Sequence, residues 1–142
     1  MKHETYEKGV VFMPVLHSAI GLSSPNPMTS TSIAVEVVGA KKIGFQITGA
    51  GITTRSAVFA VTVSFDGGTT FQTYNMLISN AANTNGQTLI RVASVTQAAT
   101  GTTICFMTPE TLGAITHIQT TLVITDTGTP AGTFTVKAVI QK

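Results

Sequence analysis

Apolar and polar residues alternate with a period of two in segment after segment of this chain, and those segments are rich in β-branched side chains. Successive residues of a strand point to opposite faces, so the pattern suits strands with one buried side. Nothing longer than a turn or two carries the three-to-four spacing of an amphipathic helix. The clearest strands run from Ile33 to Val38, Ile43 to Thr48, Val58 to Phe65, Thr88 to Val95, Thr102 to Met107, Ile118 to Thr125 and Thr133 to Ile140. In the last, Phe134, Val136, Ala138 and Ile140 define an inner face against Thr133, Thr135, Lys137 and Val139.

Turn chemistry punctuates these strands. Asn85-Gly86 suits a tight hairpin, and residues 126 to 132 form a longer loop opening on Asp126. Thr108-Pro109-Glu110 reads as an N-cap with proline at the first helical position, so one short helical turn is expected before Gly113. No internal repeat accompanies the strands, which argues against a propeller and for an antiparallel β-sandwich or jelly roll. At 142 residues one core is the default, with roughly two thirds of the unfolded surface buried.

Residues 1–31 differ in character. They hold Pro14, Pro25 and Pro27 and four of the fourteen charged residues, and they lead into the polar run from Met28 to Ser32. They read as an extended N-terminal arm preceding a sandwich of residues 32–142, with an edge strand between Val10 and Leu16 because Pro14 lacks the donor a central strand needs. Tyr6, Val10, Val11, Phe12, Pro14 and Leu16 are the candidate contact residues of that arm, which docks either on its own core or on a neighbour.

Charged residues make up 10% of the chain, against about one quarter in ordinary soluble domains. Only Arg55, Asp66 and Arg91 fall between Ile43 and Pro109, while the chain holds 26 threonines. Hydroxyls cost less to desolvate than ionised groups, so such a surface suits lasting contact with other proteins. The eight basic residues are scattered, with Lys41-Lys42 as one adjacent pair, which does not indicate nucleic acid binding. No apolar run approaches the roughly 18 residues of a membrane span, and the start does not read as a cleaved leader. Synthesis in the cytosol, without export through such a leader, is therefore expected.

Catalytic chemistry has little material. His3, His17 and His117 share no metal-ligand spacing, and Cys105 stands in an apolar run as the one cysteine. Neither a metal nor a cofactor is expected. An enzyme would have to assemble Glu36, His117 and other distant groups in one pocket. Asp66 and Asp126 are read as turn residues, and Glu110 as an acid at the first helical turn.

The most specific local pattern is Ser64-Phe65-Asp66-Gly67-Gly68-Thr69-Thr70-Phe71, which resembles the Asp-box, Ser-x-Asp-x-Gly-x-Thr followed by an aromatic. Ser64, Asp66, Gly68, Thr70 and Phe71 occupy its defining positions. The pattern implies a hairpin turn in which the carboxylate accepts backbone N–H bonds. In sialidase-like propellers the motif repeats; here it occurs once, so the turn alone carries over.

Over residues 57 to 142, the strand, the Asp-Gly-Gly-Thr-Thr-aromatic turn, the polar loop, Ile118 to Ile124 and the Gly132-Thr-Phe-Thr-Val136 ending resemble tailed-bacteriophage virion proteins with jelly-roll or sandwich folds. The resemblance implies a capsid decoration or head auxiliary protein on a phage head, bound to the major capsid protein or other virion proteins. It also implies a homo-oligomer, commonly a trimer, with an arm reaching a neighbour. The rival expectation is a carbohydrate- or receptor-binding module of a fibre or adhesin. The absence of Trp, with Tyr6 and Tyr74 the only tyrosines, speaks against the aromatic platform such a module needs.

Overall fold

The computed structural model describes residues 11–21, 26–80, 88–108, 111–128 and 131–142. Among these residues thirteen strands form two antiparallel sheets packed face to face. They are β1 (Val11–Phe12), β2 (Val15–Ile20), β3 (Met28–Thr31), β4 (Val35–Glu36), β5 (Lys42–Ala50), β6 (Arg55–Ser64) and β7 (Gln72–Tyr74). Then follow β8 (Met76–Asn80), β9 (Thr88–Val92), β10 (Val95–Gln97), β11 (Gly101–Phe106), β12 (His117–Asp126) and β13 (Thr133–Gln141).

Sheet A runs β1-β13-β5-β11-β8-β9, with β2 continuing β1 along the same side of β13. Sheet B runs β10-β6-β12-β3, with β4 continuing β3 along β12, and β7 lying beside β10 on β6. The pairing is that of one long hairpin rolled up: β2 with β13, β3 with β12, β5 with β11 and β6 with β10. That order defines a jelly roll, which keeps strand edges few by winding the two sheets over one another. The β8–β9 hairpin is an addition that extends sheet A two strands past the roll.

Alternation places the core. In β5, Ile43, Phe45 and Ile47 point inward; in β6, Ala57, Phe59, Val61 and Val63; in β12, Ile118, Leu122 and Ile124; in β13, Phe134, Val136, Ala138 and Ile140. Phe45 of sheet A meets Phe59 of sheet B with ring centroids 5.3 Å apart, a tilted pair across the middle of the sandwich.

Several sequence-based bounds shift. The stretch from Ile33 to Val38 pairs only at Val35–Glu36, and Gly39 turns the chain at φ +82° just beyond it. The stretch from Thr88 to Val95 divides at Ala93-Ser94, because β9 belongs to sheet A and β10 to sheet B, so the chain must cross between layers. The described part of residues 1–31 lies within both sheets: β1 and β2 edge sheet A, and the polar run from Met28 forms β3 against β12. His17 ties the layers together. Its ring exchanges hydrogen bonds at 2.9 Å with Ser30 Oγ and at 2.9 Å with Thr120 Oγ1, both from sheet B. The turn expected after Thr108 closes through Thr111 N–H to Thr108 O at 3.2 Å. Pro109 and Glu110 lie outside the described residues, as do Asn85-Gly86 and Thr129-Pro130.

Candidate interaction surface

A strand with apolar residues at both parities has two apolar faces. In β11, Cys105 points into the core and the neighbouring Met107 is buried as well, while Ile104 and Phe106 point outward and stay 48% and 42% exposed. Register extends this outward row. Phe106 stands between Gly44 of β5 and Leu77 of β8, and Gly44 stands beside Val139 of β13. Because Gly44 has no side chain, the row dips at its centre, and the Phe106 ring borders the gap: a Cβ on Gly44 would lie 3.5 Å from it. The result is an open trough of about 640 Å³ across the outer face of sheet A, from Val11 to Leu89.

Charge on this surface has one sign. Lys42 lines the trough, Lys137 stands beside Gln46 on the same outer face, and Arg91 stands beside Leu77. Glu36 and Asp66 belong to sheet B and its turn, and Asp126 is buried in a pair with Arg55. Among the described residues the outer face of sheet A therefore carries cations around an apolar floor and no carboxylate. A separate, smaller hollow of about 390 Å³ lies near β1, lined by Phe12, Val35 and Glu36, and there Lys142 Nζ sits 5.6 Å from the Phe12 ring centre.

The Asp-box-like turn is built as its spacing implies. Ser64 Oγ donates to Asp66 Oδ1 at 2.7 Å and accepts from Gly68 N–H at 2.9 Å. Asp66 Oδ1 also accepts from Thr70 N–H at 2.9 Å and Thr69 N–H at 3.2 Å, while Oδ2 accepts from Thr70 Oγ1 at 2.7 Å. Backbone and hydroxyl donation from Thr70, then the Ser64 hydroxyl, hold the carboxyl well below the usual carboxylate range. Gly67 and Gly68 take φ +78° and +91°, which favours glycine at both. Phe71 is half-buried just after the turn.

Sheet register does bring Glu36, His117 and Ser64 into one row on the outer face of sheet B. The geometry a nucleophile needs is not formed there. The Ser64 hydroxyl is buried and committed to Asp66 and Gly68, and the His117 ring contacts Thr116 Oγ1 at 3.2 Å. Among the described residues no group of three or more His, Cys, Asp or Glu is placed to hold a metal ion. Cys105 is buried 3.4 Å from the Met76 sulfur, and burial pushes its thiol up to about 12.

Asp126 is more than the turn residue expected of it. It closes β12, where Oδ2 accepts from Arg55 Nε at 2.9 Å and Oδ1 accepts from Thr54 Oγ1 at 2.7 Å and Gly128 N–H at 3.0 Å. Of the candidate arm residues, Tyr6 and Val10 lie outside the described residues. Val11 and Phe12 are about half-exposed, Leu16 packs partly on the core, and the Pro14 carbonyl accepts from Ala138 N–H at 3.0 Å. Tyr74 is core: its hydroxyl accepts from Thr108 N–H at 2.7 Å and is no platform for a sugar.

In the sequence the apolar run Ile104-Cys105-Phe106-Met107 bears on the place of Cys105 and does not by itself disclose the trough. The signal was present in the alternation, since Ile104, Cys105 and Phe106 are consecutive in one strand and cannot all face one core. Neither family models, nor curated proteins, nor solved structures match this chain.

Proposed function

We propose that this chain is a non-enzymatic structural protein of a virus particle, a capsid decoration protein that clamps a phage head by seating the outer face of sheet A on the shell. The observation that supports this most is the trough: a cation-rimmed apolar floor on the outside of a complete sandwich, in a chain otherwise poor in charge. Large contiguous apolar surface on a folded domain marks a contact site. Each outward side chain such as Ile104 or Phe106 contributes on the order of 1 kcal/mol when its exposed half is covered. A protein that binds the assembled shell and not its free subunits stabilises the shell by mass action. The flanking cations favour a shell surface that presents carboxylates.

The test is quantitative mass spectrometry of gradient-purified particles from cells producing the chain. The reading expects the chain at a fixed ratio to the major capsid protein, and a sharp loss of occupancy for Ile104→Lys with the fold intact. Recovery of the wild-type chain wholly in the soluble fraction would overturn it.

A further inference from the structure

Among the described residues four strand edges bound the two sheets, and three are blunted. On the β1–β2 edge, Pro14 interrupts the strand, the register with β13 shifts twice, and Ala19 adopts φ +47°. The β10 and β7 edge is made of two pieces of three residues each, and the β3 and β4 edge of pieces of four and two. Short pieces, proline and bulges are the devices that keep sheet edges from pairing. The fourth edge, β9, has neither proline nor bulge, and its one charged side chain, Arg91, is tied to Thr108 Oγ1 at 3.0 Å. Its five residues contain no proline or glycine, and its register with β8 runs unbroken from Asn80↔Thr88 to Met76↔Val92.

This edge also carries an exposed apolar residue on each side. Leu89, opposite Ser79, faces outward and is 53% exposed; Ile90, opposite Ile78, faces the inner side and is 38% exposed. Ile78 and Val92 of the same hairpin pack partly against the core, while Ile90 stays open. Among the described residues no strand pairs with the outer edge of β9.

We infer that β9 is a self-association edge, pairing antiparallel with β9 of a second copy about a two-fold axis through Ile90. In that register Ile90 faces its own copy, and Leu89 of each chain faces Arg91 of the other. No like charges stand opposite one another, the open backbone groups join a ladder, and the two troughs become continuous. The inference is independent of the shell reading: a chain that dimerises without coating a particle, or coats one as a monomer, separates the two.

Sedimentation equilibrium of the full chain tests it, with a charge swap at Leu89. The wild type is expected at twice the 14.8 kDa chain mass. Leu89→Lys, which sets a cation against Arg91 of the other copy, is expected to weaken association at least about tenfold, a change of roughly 1.4 kcal/mol. Leu89→Glu, which sets a carboxylate there, is expected to keep the dimer. Circular dichroism confirms that each variant is folded, and Ile90→Lys serves as a second dissociating variant. A wild type that stays monomeric to its solubility limit, or forms a trimer, overturns the inference; so does equal dissociation by the Lys and Glu variants.

Discussion

Arg55 and Asp126 are register partners at the ends of β6 and β12, and their side chains form a buried ion pair with Nε 2.9 Å from Oδ2. The pair is a junction of loops. Arg55 Nη1 also donates to the Gly132 carbonyl, and the Asn26 amide donates to the Asp126 carbonyl at 2.9 Å. The β5–β6 loop, the β12–β13 loop and the approach to β3 are thereby fixed at one end of the sandwich.

Arg55→Ala leaves a buried carboxylate without its partner and is expected to lower Tm by roughly 10 °C in a thermal melt. Arg55→Lys is expected to recover only part of the loss, because a single ammonium cannot replace the guanidinium fork that reaches both Asp126 and Gly132.

The Asp66 turn predicts a local effect. Asp66→Ala removes the acceptor of the Thr69 and Thr70 amides, so hydrogen exchange at those two positions should accelerate while β12 and β13 stay protected. Unchanged exchange at Thr70 would show that the carboxylate does not hold the turn.

Stability should fall with acid in two windows. Burial lowers the His17 pKa from its ordinary 6.5, so below that value the unfolded chain binds a proton that the folded ring resists. Stability is then full above about pH 6.5 and declines as the pH drops through it. Asp66 and Asp126 are both held below the ordinary 3.8, so their contribution is present above that value and lost as pH falls further. A Tm series from neutral to acid should show both declines, and His17→Gln should remove the first.

Gly132 is strained for any other residue. Its φ is +96°, and a Cβ would lie 2.7 Å from the Ala50 and Gly51 carbonyl oxygens. Gly132→Ala is expected to cost about 3 kcal/mol in denaturant unfolding.

How much of this was legible before the structure differs by element. The long strands β5, β6, β12 and β13 stand close to where alternation puts them, since each buries one parity of its side chains. The turn at Asp66 was legible too, because the hydrogen bonds made by the Ser64 hydroxyl and the Asp66 carboxylate fall within seven consecutive residues, Ser64 to Thr70. Of the edge strands, the one around Pro14 was legible and β3 was not. β3 is Met-Thr-Ser-Thr, polar at three of four positions, and is a strand only because β12 offers it a ladder. The trough depends on Gly44, Phe106, Leu77 and Val139, which are adjacent only through register between four strands. The alternation in β11 marks Ile104 and Phe106 as outward, but no local pattern tells which residues of β5, β8 and β13 flank them.

Carbene footprinting of the outer face of sheet A, in the free chain and in purified particles, tests most directly whether another protein surface covers it. The account predicts strong labelling of Ile104 and Phe106 in the free chain and protection of both in the particle, with Val58 and Val123 of sheet B changing little. Equal labelling of Ile104 and Phe106 in the two states would contradict it.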